Sequence, residues 1–149
     1  MCSSDLVTAH NVSLSALSAQ TTYNYRVRSK DAAGNQAVSS NQTFTTAAPD
    51  TTKPQVSITS PSNGSSVTRG YVVTINAQAT DDYRVSKVEF YVNGSLMCTD
   101  TVPEGANANV YKCDWRVPKR NSATYRLEAV AYDTSNNSSL PVAVSVTSK

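Results

Sequence analysis

The sequence predicts an all-β protein built from sandwiches of two antiparallel sheets, and three observations predict it. Ser (21), Thr (17) and Asn (12) make up a third of the 149 residues, and Val (18) is the commonest apolar type. That bias favours strands and turns, because β-branched side chains suit a pleated surface better than a helix. Apolar residues also recur at every second position in short runs, the period of a strand with one wet face. Turn residues separate these runs at regular intervals, as in a sandwich. The charge balance excludes other classes: a net +2 with 16% charged residues supplies no basic stripe for nucleic acid or anionic lipid. No apolar run approaches the roughly 18 residues needed to span a membrane.

Taken in order, residues 1–7 show no periodicity. Residues 8–47 carry three strand-like runs. In 11–17, Val12 and Leu14 alternate with polar residues. In 23–29, Tyr23, Tyr25 and Val27 share one face, and Asn24, Arg26 and Arg28 the other. The third run is 42–46. Residues 48–54 have no large apolar residue and hold Pro49 and Pro54, which reads as a short, stiff linker. Residues 55–148 then give seven strands, at 56–59, 71–79, 85–92, 96–99, 110–117, 124–132 and 142–147, with Val67 on an extra edge piece. Tyr125, Leu127, Ala129 and Ala131 alternate with Arg126, Glu128 and Val130. Asn93-Gly94 between two runs is the strongest hairpin signal in the chain. An internal repeat supports two tandem units: Tyr23 and Asp31 are spaced like Tyr125 and Asp133, and each Asp is followed four residues later by Asn (Asn35, Asn137).

The first block resembles the closing half of a fibronectin type III domain. The resemblance runs through His10-Asn-Val-Ser-Leu14, Leu17, Thr21-Thr-Tyr23, Tyr25, Val27, Asp31-Ala-Ala-Gly-Asn35 and Phe44-Thr-Thr46. It implies a truncated domain at 8–47, with the last three strands, and places Tyr23 at the family's tyrosine corner. The second block, 55–148, resembles the bacterial Ig-like domains found in tandem in secreted and surface proteins. That resemblance rests on Pro54-Gln-Val-Ser-Ile58, Pro61-Ser-Asn-Gly64, Val67, Ala79-Thr-Asp-Asp82, 85–94, Trp115 and Ala131-Tyr-Asp133. The expected architecture is an immunoglobulin-like Greek-key β-sandwich preceded by a partial fibronectin type III sandwich. Residues 102–109 form a longer polar loop than is usual for such domains. Met-Cys-Ser-Ser-Asp-Leu6 resembles translated sequencing-adapter read-through, so 1–7 reads as an artefactual start on a fragment. A signal peptide would then have been lost with the missing N-terminal part.

Cys98 and Cys113 flank one loop on sequential strands and can meet across a sheet at bridging distance. Two unrelated buried thiols are the alternative. The resemblance favours a disulfide, since relatives often carry a pair here, and it implies an oxidising, extracytoplasmic location. Two thiolates without a nearby His cannot fill a zinc shell. Asp50, Asp81, Asp82 and Asp133, with Asn136 and Asn137, all fall in the linker or loops. Loops at one end of a sandwich can converge, and such oxygens suit Ca²⁺; the competing role is turn formation.

No catalytic constellation is expected. His10 is the only histidine, and neither a nucleophile elbow nor a phosphate loop occurs. Trp115, Phe90 and Tyr125 are expected in the core. Tyr71, Tyr83, Tyr91, Tyr111 and Tyr132 are candidates for a surface platform that stacks on sugars or peptides. The six Asn-x-Ser/Thr sequons (Asn11, Asn41, Asn63, Asn93, Asn136, Asn137) are near chance for this composition. The sequence reading is therefore a non-catalytic spacer, presentation or adhesion module, extracellular or on a cell surface. The alternative is a carbohydrate-binding accessory region of a secreted polysaccharide-degrading enzyme. Expected partners are neighbouring domains of the parent chain, and a polysaccharide or cell-surface protein. No cofactor other than Ca²⁺ is expected.

Overall fold

The computed structural model describes residues 11–105, 108–120 and 122–149. They divide into two units, 1–49 and 50–149. Among the described residues every regular element is a strand.

In the first unit β1 (Thr22–Tyr25) pairs antiparallel with β4 (Gln42–Thr45), and β2 (Arg28–Lys30) with β3 (Gln36–Val38). The run expected as one strand over 23–29 therefore breaks at Arg26–Val27, and its halves join different partners. The strand expected over 11–17 does not form. That segment has no ladder partner, its Ala16 takes a positive φ of 56°, and Val12 and Leu14 stay exposed. Alternation alone cannot hold an extended segment whose backbone groups have nothing to pair with.

The second unit is a sandwich. Its strands are β5 (Gln55–Ser60), β6 (Ser66–Val67), β7 (Val72–Thr80), β8 (Val85–Val92), β9 (Ser95–Asp100), β10 (Val110–Arg116), β11 (Thr124–Asp133) and β12 (Val142–Ser148). One sheet has the order β10-β7-β5 and the other β6-β12-β11-β8-β9. All pairings in them are antiparallel except β12 with β6, which is parallel. The chain changes sheets at β5/β6, β6/β7, β7/β8, β9/β10 and β10/β11, the crossovers of an immunoglobulin-like Greek key.

The core lies between the sheets and follows the two-residue period. β7 sends Ile75, Ala77 and Ala79 inward, β8 Val88 and Phe90, β10 Tyr111, Cys113 and Trp115, and β11 Leu127, Ala129 and Ala131. Trp115 meets the Tyr125 ring edge-to-face at 5.0 Å, the arrangement that ring quadrupoles favour. Asn93 and Gly94 close the β8–β9 hairpin with φ of 48° and 79°. Two positive φ values in succession are what a type I′ turn requires, and Gly adopts one without a Cβ penalty.

Register fixes where the second unit begins and ends. β5 starts opposite the end of β7, with Gln55 paired to Thr80. The last residue, Lys149, bonds backbone at Val67 and Arg69, and Ser148 bonds Ala123 just before β11 starts. β11 runs ten residues between these regions, roughly 30 Å at strand rise. The chain thus enters the sandwich at one end and leaves at the other.

Candidate functional site

Three of the four predicted acidic residues meet at the end where the chain enters the sandwich. Asp50 comes from the incoming segment, and Asp81 and Asp82 from the β7–β8 turn. One carboxylate oxygen from each lies within 4.8 Å of the others. Asp50 Oδ1 accepts the Thr52 N–H at 2.8 Å, and Asp82 Oδ2 accepts the Thr52 hydroxyl at 3.0 Å. Asp81 Oδ2 accepts the N–H groups of Tyr83 and Arg84 at 3.0 and 3.1 Å. Asp50 Oδ2 and Asp81 Oδ1 are closed off from solvent and accept nothing.

Asp133 is not one of the three whose oxygens lie this close together, although its carboxyl also interacts with the Asp50 side chain. It is 1% exposed, and both its oxygens accept hydrogen bonds from the β11–β12 turn. Oδ1 accepts the N–H of Ser135 and of Asn137, at 2.7 and 2.8 Å, and Oδ2 accepts Asn137 Nδ2 at 2.7 Å. The same Nδ2 donates to the Asp50 carbonyl at 3.1 Å. Asp133 therefore positions Asn137, and Asn137 holds the backbone of the incoming segment. Burial pushes the Asp133 carboxyl up, but the hydrogen bonds from Asn137 and Ser135 outweigh it and leave the carboxyl below its ordinary value.

Cys98 and Cys113 form a disulfide with their Cα atoms 6.2 Å apart. The strands carrying them, β9 and β10, belong to opposite sheets. The bridge therefore joins the two sheets at their edges, and the expected crossing within one sheet is corrected. In the first unit the Tyr23 hydroxyl accepts the Ser18 N–H at 2.8 Å, and its ring stacks on Phe44 at 5.6 Å.

The five candidate platform tyrosines do not form a row. Tyr111 is 2% exposed, and this too is a correction. It lies on the same strand as Trp115 and four residues before it, so the strand period turns both inward. Tyr71 and Tyr83 are 68% and 78% exposed. They flank β7, one at each end of its nine residues, roughly 30 Å apart by strand rise. Tyr91 and Tyr132 lie on the outer face of the five-stranded sheet, held in a network that sequence reasoning missed. Lys87 Nζ pairs with Glu89 Oε1 at 2.6 Å and sits 4.3 Å from the centre of the Tyr132 ring, and the Tyr91 hydroxyl donates to Glu89 Oε2 at 2.6 Å. Lys87 and the Tyr91 hydroxyl hold the Glu89 carboxyl below its usual range, and Glu89 with burial pushes the Tyr91 phenol up. The signal was available: residues 87, 89 and 91 alternate with the apolar inward positions of β8.

His10 and residues 1–10 lie outside the described residues, as do 106 and 107 within the polar loop 102–109. Pro103, Ala108 and Asn109 of that loop border an open groove with Thr101, Asp81, Arg84 and Val85. Among the described residues no helix is long and apolar enough to cross a membrane.

A family model described as a bacterial Ig domain matches residues 54–129. Among solved structures, the fibronectin(III)-like modules of CbhA from Clostridium thermocellum superpose with a TM-score of 0.57 at 23% identity, covering 89% of this chain and 64% of that one. An endo-β-1,4-mannanase from Thermotoga petrophila gives a TM-score of 0.50 at 12% identity, covering 67% of this chain and 20% of that one. The chain thus spans less than two thirds of either, and at these identities the likeness is one of fold. No curated protein matches the sequence.

Proposed function

The chain belongs to the bacterial Ig domain family, and from that premise we propose that it is a non-catalytic spacer and presentation segment of a larger extracellular or cell-surface protein. Domains of this type are typical of extracellular modules. The observation that carries the reading is the path of the chain through the second unit. It enters beside the β7–β8 turn and leaves beside β6, so each such unit adds its full length to whatever it connects. A covalent tie between the sheets suits an oxidising location, where disulfides persist. Its partners on this reading are the domains on either side of it.

The second reading is a carbohydrate-binding accessory region. The exposed rings of Tyr71 and Tyr83 favour it, but one ligand would need both on a common face, and they flank the length of β7. Incubation of the full chain with insoluble cellulose, mannan and chitin separates the two. Retention equal to that of an inert control protein is expected. Retention above the control that is lost in Tyr83→Ala or Tyr71→Ala would overturn the spacer reading and establish the other.

A further inference from the structure

We propose that residues 25–30 of the first unit form the edge of a docking groove for an extended peptide segment that alternates apolar and acidic side chains. The inference goes beyond the spacer reading and stands or falls apart from it. The groove has a volume of about 800 Å³ and is lined by residues 25–30 together with Val12, Leu14 and Phe44. Val12, Leu14, Tyr25 and Val27 are 82%, 60%, 45% and 60% exposed, so its apolar floor is uncovered.

The lining has the form that a strand fits. A sheet face takes every second residue of a strand, because successive side chains point to opposite sides. Here six consecutive residues take part, so the groove follows the edge of the chain and not one of its faces. β2, the second half of this run, pairs with β3 alone, and β1, which ends at Tyr25, pairs with β4 alone. Each therefore keeps a second edge with no strand on it among the described residues, and such an edge is the template for an added strand. Six residues at strand rise measure roughly 20 Å, the length of an ordinary strand. The segment 11–17 adds a matching observation. Its apolar residues alternate as in a strand, two of them line the groove, and it has no ladder partner. A strand laid along the groove covers the exposed apolar residues and pairs with the open edge at once.

Charge selects the guest. Arg26, Arg28 and Lys30 stand along the groove, and no ion pair among the described residues engages any of them. Asp31 is the only acidic side chain between residues 11 and 49, and its oxygens already accept the Asn35 N–H and Nδ2. The groove thus presents three uncompensated cations beside an apolar floor. Cations along an edge deter a second copy of the same strand, since like charges meet. They favour a strand whose polar side chains are carboxylates. Alternation in the guest follows from its own pleat, which turns one set of side chains to the floor and the other to the cations.

The test uses the full chain at a concentration where it is monomeric, titrated with a fluorescein-labelled peptide of alternating Val and Glu and followed by anisotropy. Saturable binding is expected, with hydrogen exchange slowed at residues 25–30 and unchanged in β7, β8, β10 and β11. Three control peptides should each bind at least about tenfold more weakly. One alternates Val and Lys, one alternates Ser and Glu, and one is the Val/Glu peptide with N-methyl groups in place of its ladder donors. Arg28→Glu combined with Lys30→Glu should reverse the preference, so that the Val/Lys peptide binds about tenfold better than Val/Glu. That reversal also shows the groove of the variant to be intact. The comparison among peptides on the wild-type chain needs no variant and decides by itself. No saturable binding up to about 1 mM peptide, or Ser/Glu binding as tightly as Val/Glu, would overturn the proposal. Slowed exchange at 25–30 that grows with protein concentration and shuts out the peptide would give the groove to a second copy, and overturns it equally.

Discussion

At the scale of single residues, Asp133 shows how one side chain can act on a region through the neighbour it positions. The sequence puts it in a loop near other acids. The structure surrounds it with donors from its own turn, and through Asn137 it reaches the Asp50 carbonyl. The repeat detected in the sequence is a repeat of this geometry. Asp31 accepts the Asn35 N–H and Nδ2 at 2.7 and 2.8 Å, and the Asn35 side chain leads in holding its carboxyl low. The two differ in burial, since Asp31 is exposed and Asp133 is not. A carboxyl whose folded-state value is depressed adds stability that is fully present above its unfolded value and is lost as pH falls through the folded one. For Asp133, whose ordinary value is 3.8, that window opens below about pH 4. Denaturation midpoints followed from neutral to acid pH should therefore fall more steeply for wild type than for Asp133→Asn. Parallel acid limbs would show that the turn contributes nothing through this carboxylate.

At the scale of elements, the two-residue period carries much information about each strand and none about its partner. The strands β5 and β7–β12 fall within about two residues of their expected bounds, since their inward and outward positions are written locally. Partnership is a long-range property. It explains why 11–17 reads as a strand but forms none, and why 23–29 splits between two neighbours. It also explains why the disulfide runs between sheets when adjacency in sequence suggested one sheet. The acidic cluster is a topological product of the same kind, because only the β5–β7 register brings Asp50 to the β7–β8 turn. Tyr111 is different: its parity with Trp115 was legible along β10. The bridge between β9 and β10 has a measurable consequence. It closes a loop of 15 residues, worth about 3 kcal/mol in the chain-entropy picture, or roughly 10–20 °C in the midpoint of a unit of this size. Reduction, or Cys98→Ser with Cys113→Ser, should lower the calorimetric midpoint by that amount, and a shift under about 2 °C would assign the bond no constraining role.

At the scale of the whole molecule, the two units differ in what holds them. The apolar residues buried among the described positions all belong to the second unit, from Val67 to Val146. The first has strands of three or four residues in two-stranded sheets, with Val12, Leu14, Tyr25, Val27 and Val38 left exposed. Two-stranded ribbons without a covered apolar face are marginal in water, since ordering the backbone costs more than such pairing returns. Cooperative stability should therefore reside in residues 54–149, with 11–46 opening by local fluctuation. Hydrogen exchange on the monomeric chain checks this without dissection. Amides of β7, β8, β10 and β11 should be protected at least about a hundredfold more strongly than those of β1 to β4. The first unit should lose its protection at denaturant concentrations that leave the second intact. Equal protection across both units in a confirmed monomer would mean that the short ladders of the first are stabilised by something other than burial. Protection of the first unit that rises with protein concentration would instead point to association through its exposed apolar face.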